Sequence, residues 1–84
     1  MNYFLFILPR AQRELAALSK KDFEKVKAAI LALAGNPRPA NCSKLTGRNG
    51  WRIRIGNYRV IYEIDDPNRS VTVLNVGHRR EIYR

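Results

Sequence analysis

The segment that most constrains the fold is WRIRIGNYRVIY, at residues 51–62, where apolar and basic residues alternate on either side of a Gly-Asn pair. Alternation with a period of two is typical of strands that bury one face. A Gly-Asn pair between two such runs favours a two-residue hairpin turn. The segment therefore predicts two antiparallel strands, over residues 51–55 and 58–64.

The two-residue turn also predicts which residues share a face of the sheet. Ile55 lies opposite Tyr58 and Arg54 lies opposite Arg59, and opposed residues point to the same face. The predicted core face comprises Trp51, Ile53, Ile55, Tyr58, Val60, Tyr62 and Ile64. The predicted basic face comprises Arg52, Arg54, Arg59, Ile61 and Glu63.

Arginines that face one another across a strand pair repel, so the basic face predicts a site for a ligand with negative charge. The alternative is neutralisation within the chain by Glu63 and by the loop acids Asp65 and Asp66. We favour the anion site, because Glu63 can pair with one arginine of this face but not with all of them.

The N-terminal half predicts a strand followed by a helical hairpin. Residues 2–8 are apolar almost throughout, which is typical of a strand covered on both faces. Pro9 favours the first turn of a helix, and Ser19 with Asp22 resembles a capping box that begins a second helix. Residues 35–37, Gly-Asn-Pro, are expected to end it.

The element order predicts an α+β fold. Residues 38–49 are expected to form a loop, and residues 71–76 the last strand of a three-stranded antiparallel meander. The predicted architecture is a strand, a helical hairpin and this meander, as two layers with the helices on one face of an antiparallel sheet. Residues 1–84 are expected to form a single domain.

Charge gives the first indication of function. The chain carries 16 Lys and Arg against 7 Asp and Glu, for a formal net charge of +9. Between Glu24 and Glu63 no residue is acidic, although several are basic. A field of one sign attracts polyanions, so nucleic acid or an acidic protein is the expected partner.

Cysteine and histidine are too few for several kinds of site. Cys42 is the only cysteine and His78 the only histidine, so we expect no internal disulfide and no zinc site built from these residues. No metal and no cofactor are expected. No apolar run reaches the length of a membrane span and no signal peptide is recognisable, so a cytoplasmic protein is expected.

The C-terminal residues 76–84, VGHRREIYR, add chemistry next to the last strand. Gly77 permits a bend, and His78 titrates near neutral pH. The arginines suit bidentate contacts with phosphate, and Tyr83 offers a ring for base stacking. We expect this cluster to lie beside the basic face.

Three motifs together resemble the RelE/ParE toxin superfamily, and RelE-type ribonucleases in particular. They are WRIRIGNYRVIY at residues 51–62, VGHRREIY at residues 76–83 and KLTG at residues 44–47. The resemblance covers the whole chain and implies a RelE-like fold. It implies the toxin of a type II toxin-antitoxin system, an endoribonuclease that cleaves mRNA in the ribosomal A site, inhibits translation and needs no metal.

The resemblance also implies roles for individual residues. Arg59 and Arg79 are expected to stabilise charge on the reacting phosphate, and Tyr83 to orient or stack a base. Arg54 is also expected in the active site, at a position where, as at Arg52, some RelE toxins have lysine. Arginine has too high a pKa to be a good general base, so the base is either His78 or no dedicated group. The residues expected to bind RNA are Lys44, Arg48, Arg52, Arg80 and Arg84.

The implied partners are the ribosome, mRNA and a RelB-like antitoxin. The antitoxin is expected to be acidic and to cover the basic face or to pack against the helices. Two other functions stay open: a ParE-like inhibitor of DNA gyrase without catalysis, and an RNA-binding or inactive relative. The VGHRREIY ending favours the ribonuclease.

Overall fold

The computed structural model describes residues 2–78. In this part of the chain the helices are α1 (Pro9–Ala16) and α2 (Lys20–Ala32). The strands are β1 (Phe4–Ile7), β2 (Cys42–Lys44), β3 (Trp51–Ile55), β4 (Tyr58–Asp65) and β5 (Ser70–His78). They form one five-stranded sheet in the order β1-β5-β4-β3-β2. The α+β class and the β3-β4-β5 meander are confirmed.

The predicted register of the β3–β4 hairpin is confirmed at every position. Ile55 pairs with Tyr58, and Arg54 pairs with Arg59. Gly56 has a φ of 59°, and Asn57 is not among the residues with positive φ. A positive φ at the first central position alone is the pattern of a type II′ turn, which glycine adopts without strain.

The prediction of a purely antiparallel sheet is wrong for β1. This strand runs parallel to β5, with Phe4 beside Ser70 and Ile7 beside Val73. The helical hairpin occupies one face only, and β1 is an edge strand. Residues 2–8 are therefore not covered on both faces, and Phe4 and Phe6 are exposed.

The predicted loop at residues 38–49 contains the short strand β2. It pairs with β3 in antiparallel fashion, with Ser43 opposite Arg52. A strand of three residues is too short to show a period of two, so the sequence carried no sign of it.

The helical hairpin forms as predicted. Pro9 occupies the first turn of α1. The hydroxyl of Ser19 accepts a hydrogen bond from the Asp22 N–H at 3.3 Å, which satisfies one free donor at the start of α2. The helix ends at Ala32, shortly before Gly35.

The core lies between the hairpin and one face of the sheet. The helices contribute Ala11, Leu15, Val26 and Ile30, followed by Leu33 just after α2, and the sheet contributes Ile53, Ile55, Val60, Tyr62, Val71, Val73 and Val76. Tyr62 is fully buried, and its hydroxyl donates to the Pro37 carbonyl at 2.7 Å. Burial raises the pKa of Tyr62.

Replacing Tyr62 by Phe should lower the free energy of unfolding by about 1–3 kcal/mol, because it leaves the Pro37 carbonyl without its donor. Tyr3→Phe is the control, since the Tyr3 hydroxyl bonds an exposed carboxylate that water can solvate. Urea denaturation measures both. Equal losses would show that the buried hydrogen bond contributes no more to stability than the exposed one.

A second network joins Tyr3, just before β1, and Arg38, in the loop before β2, to the turn between β4 and β5. Arg38 Nη2 lies 2.9 Å from Asp66 Oδ2, and the Tyr3 hydroxyl donates to Asp66 Oδ1 at 2.5 Å. The hydrogen bond from Arg38 lowers the pKa of Asp66 most, and the hydrogen bond from Tyr3 lowers it further. Because the folded pKa is the lower one, this stabilisation is present above the unfolded value of about 3.9 and is lost as the pH falls through the folded value.

Asp66→Asn should therefore make stability less dependent on pH below about 4. Thermal unfolding measured between neutral and acidic pH checks this, with Glu24→Gln on the exposed side of α2 as the control. A wild-type slope that persists in Asp66→Asn would assign the acid sensitivity to other groups.

Candidate active site

The face of the sheet that carries no helix is called the outer face below. One cross-strand row on it joins Arg54 of β3, Arg59 of β4 and Gly77 of β5. Gly77 places no side chain beside Arg59. The hairpin thus places Arg54 and Arg59 directly opposite each other, as predicted.

Arg59 is buried, with 1% of its surface exposed. Its Nη1 donates to the carbonyl of Tyr58 at 3.1 Å. A guanidinium keeps its charge at all ordinary pH values, so burial of Arg59 requires hydrogen-bond acceptors around it. Within residues 2–78 no buried side-chain nitrogen or oxygen lacks a partner. Arg59 is therefore a held positive charge and not a mobile surface arginine.

Arg54 differs from Arg59 because its side chain is exposed. Neither ion pair found between described residues involves Arg54. Asp66 already pairs with Arg38, and Asp65 accepts two hydrogen bonds from Asn68. The loop acids are thus engaged at the other end of the sheet, and they do not neutralise Arg54.

A second row on the outer face runs through Ser43, Arg52, Ile61 and Asn75. Arg52 is half-buried, and Ile61 is only 3% exposed although it lies on the face without helices. Ser43 and Asn75 were not predicted as members of this surface. Their place depends on β2 and on a β-bulge, and neither has a signature in the sequence.

His78 does not lie beside the arginines. It pairs with Tyr58, and the two rings meet edge to face with their centroids 5.8 Å apart. The Tyr58 hydroxyl donates to Asp22 of α2 at 2.9 Å, so Tyr58 and His78 occupy the helix side of the sheet. The expectation that His78 joins the basic face is wrong in this respect.

His78 lies on the helix side because the pairing of β4 with β5 is irregular. The pairing shifts between Ile61, which faces Asn75, and Tyr62, which faces Val73, so Leu74 is an extra residue. Such a bulge inverts the alternation of all residues beyond it. It turns Gly77 to the outer face and His78 to the helix side.

Lys44 and Arg48 also lie apart from the arginine rows. Lys44 Nζ stands 5.5 Å from the centre of the Trp51 ring, whose other cationic neighbour is Arg38 at 5.1 Å. Trp51 packs against the core, so Lys44 belongs to the edge of the helix side. Arg48 is exposed in the turn between β2 and β3.

The expected site residues Arg79, Arg80, Tyr83 and Arg84 lie outside the described residues, so their predicted roles stay predictions. Among residues 2–78 no three His, Cys, Asp or Glu side chains are grouped as ligands for a metal ion. In the same range no helix is long and apolar enough to cross a membrane.

Comparison with known proteins identifies the family. The family of ParE toxins of type II toxin-antitoxin systems (parDE) matches residues 5–83. The chain belongs to this toxin family. The mRNA interferase toxin RelE of Escherichia coli is 31% identical over 88 residues, which cover 99% of this chain and 92% of that protein.

Solved structures of RelE toxins share the fold. The toxin–antitoxin complex RelBE2 of Mycobacterium tuberculosis gives a TM-score of 0.83 at 27% identity, over 94% of this chain and all (100%) of that chain. The archaeal RelE–RelB complex of Pyrococcus horikoshii gives a TM-score of 0.83 at 26% identity, over 94% and 97% of the two chains. The fold is therefore that of RelE toxins.

Arg59→Ala should lower the free energy of unfolding by about 1–3 kcal/mol, because it removes a buried donor from the Tyr58 carbonyl. Arg54→Ala should change it by no more than about 0.5 kcal/mol, since this side chain is exposed. Urea denaturation of the two variants measures the difference. Equal effects would contradict the distinction between a held and an exposed arginine.

Proposed function

We propose that this toxin is a RelE-type endoribonuclease that cleaves mRNA in the ribosomal A site and so stops translation. The observation that carries the proposal is the pair of arginines, Arg54 and Arg59, on the helix-free face of a chain that aligns along 99% of its length with an mRNA interferase. Paired guanidinium groups suit phosphate, because each can donate two parallel hydrogen bonds to it.

The proposed reaction is a transesterification within the RNA. The 2′-oxygen of a nucleotide attacks the adjacent phosphorus, and the bond from phosphorus to the 5′-oxygen of the next nucleotide breaks. The products are a 2′,3′-cyclic phosphate and a 5′-hydroxyl, and the proton lost by the 2′-hydroxyl is balanced by the proton gained at the 5′-oxygen. The nucleophile belongs to the substrate, so the reaction needs no metal-bound water.

The arginines act on the charge that develops at phosphorus. Arg59, held between β3 and β5, supplies a fixed positive charge that needs little reorganisation when the phosphorane forms. Arg54, exposed in the same row, contacts the phosphate from solvent. By the family resemblance Arg79 adds to this stabilisation and Tyr83 stacks on a base.

Proton transfer has no dedicated base in this proposal. Arginine does not release its proton near neutral pH. The ring of His78 lies on the helix side beside Tyr58, away from Arg54 and Arg59. The 2′-hydroxyl proton therefore passes to water or to a group of the ribosome, and the rate rests on charge stabilisation.

The proposed inhibitor is a RelB-like antitoxin of acidic character. RelE relatives of bacteria and archaea have been crystallised as complexes with RelB antitoxins. The net charge of +9 favours an acidic partner, because such a partner offsets the repulsion among the basic side chains.

Inhibition of DNA gyrase is the second candidate, because the matching family is named for ParE toxins. Cell-free translation separates the two functions. Addition of the purified toxin should produce cuts within codons of a translated mRNA, mapped by primer extension, and none in the same mRNA when translation initiation is blocked. Absence of cuts together with arrested supercoiling by purified gyrase would overturn the ribonuclease proposal.

Arg54→Ala should reduce the rate of mRNA cleavage by about 100-fold, as loss of one donor to a transition-state oxyanion does. Arg13→Ala, an equal loss of charge on the exposed side of α1, should leave the rate within a few-fold of wild type. Single-turnover cleavage on programmed ribosomes measures both rates.

The same assay decides the role of His78. Loss of a general base costs on the order of 100-fold or more, whereas we expect His78→Gln to retain most of the activity. A loss as large as that of Arg54→Ala would show that His78 does reach the substrate.

A further inference from the structure

The N-terminal strand presents an apolar surface that the fold leaves uncovered. Phe4 is 69% exposed, Phe6 55% and Leu8 41%. These residues alternate along the chain and point to the outer face, while Leu5 and Ile7 pack against the core. Contiguous exposed apolar side chains are unusual on a small protein and mark interaction sites.

The backbone of β1 is open along the same edge. The N–H of Phe4 donates to the Arg69 carbonyl, in the turn before β5, at 2.7 Å. The N–H of Leu8 donates to the Val73 carbonyl of β5 at 3.0 Å. Since alternate residues of a strand turn to alternate sides, the N–H and C=O of Leu5 point away from the sheet. β1 is the edge strand of the sheet, so no neighbouring strand among the described residues faces these two groups.

At the two ends of this edge, outward backbone groups are already hydrogen-bonded within the toxin. The N–H of Tyr3 donates to the Ala34 carbonyl at 2.7 Å, and the carbonyl of Ile7 accepts from the Gln12 side chain at 2.7 Å. The outward backbone groups between these two bonds are those of Leu5 and the N–H of Ile7. This length of edge suits one short added strand.

Basic residues lie at both ends of the edge, although Glu63 and Asp66 are also near it. Arg69 adjoins Phe4, whose N–H bonds the Arg69 carbonyl. Arg10 and Arg13 follow Leu8 on α1, and both are exposed, with Arg10 paired to Glu14. A second copy of the chain would bring another net charge of +9 to this surface, so the charges disfavour self-association through it.

We propose that β1 is the anchor for the antitoxin: an extended antitoxin segment, with apolar residues at alternate positions and acidic residues at its flanks, adds to the sheet at Leu5 and covers Phe4 and Phe6. The inference rests on the proposed toxin–antitoxin function. Strand addition supplies backbone hydrogen bonds at Leu5, and the phenylalanines supply the apolar contacts that select the partner.

The anchor is separate from the arginine rows. β1 stands two strands from β4, and Phe6 lies level with Glu63, while Arg59 is further along β4. With strands about 4.8 Å apart and a rise of about 3.3 Å per residue, the Cα atoms of Phe6 and Arg59 are roughly 15 Å apart. Changes at the anchor should therefore affect neutralisation and not cleavage.

The test uses the double variant Phe4→Thr/Phe6→Thr, which keeps residues suited to a strand. The binding partner is the antitoxin encoded in the same operon, purified and added to the toxin in calorimetry. We expect mRNA cleavage at the wild-type rate, affinity for the antitoxin reduced at least about tenfold, and growth arrest despite co-expressed antitoxin. Leu31→Thr, which alters a residue 54% exposed on α2, should retain wild-type affinity.

Wild-type affinity in the double variant would overturn the anchor. Loss of cleavage with a folded variant would also overturn it, and would assign Phe4 and Phe6 to RNA binding. If the wild-type toxin cleaves no mRNA, the proposed function fails, but the affinity measurement still reports on the anchor by itself.

A measurement on the unmutated toxin tests the anchor without depending on whether the double variant folds. Amide hydrogen exchange followed by NMR should slow at Leu5 and Ile7 when the antitoxin binds, because those N–H groups gain acceptors. Exchange at Phe4 should change less, since its N–H is already bonded within the toxin. Unchanged exchange at Leu5 in the complex would exclude strand addition.

Discussion

The two-residue turn at Gly56 decides which side of the sheet every residue of β3 and β4 occupies. Because side chains alternate with a period of two, a slip of one residue would send Ile53 and Val60 into solvent and bring the arginines into the core. The burial of a large apolar set thus enforces the register, and the register places Arg54 against Arg59. The site follows from the same constraint as the core.

The features of the fold that could be predicted were those set by short patterns in the sequence. The hairpin register, the Ser19 cap and the stop after α2 follow from short patterns, and all were confirmed. The parallel pairing of β1 and the strand Cys42–Lys44 depend on contacts between distant segments, which leave no local pattern. The bulge in β5 was equally hidden, and it alone moved His78 away from the basic face.

The arginine rows concentrate positive charge on the outer face, and the acids of the turn between β4 and β5 do not offset the charge of Arg54. Asp66 is engaged with Arg38 at the opposite end of the sheet, which leaves exposed Arg54 beside buried Arg59. Like charges this close raise the energy of the unliganded toxin. In the proposed reaction an RNA phosphate would relieve that repulsion, most of all when extra negative charge develops on it during cleavage. Structural strain and catalytic stabilisation are thus two consequences of one arrangement.

A toxin of this kind has to be active when free and inactive when bound to its antitoxin. The sheet offers one surface for activity and a separate one for binding the antitoxin. The arginines occupy β3 and β4, where a partner that covers them competes directly with RNA. The uncovered Phe4 and Phe6 occupy the β1 edge, where apolar contacts are independent of phosphate binding. An antitoxin anchored at β1 holds its remaining chain close to the arginines, so even a weak contact there acts at high effective concentration. Under the two proposals, neutralisation can then be tight without any change in the residues proposed to act on RNA.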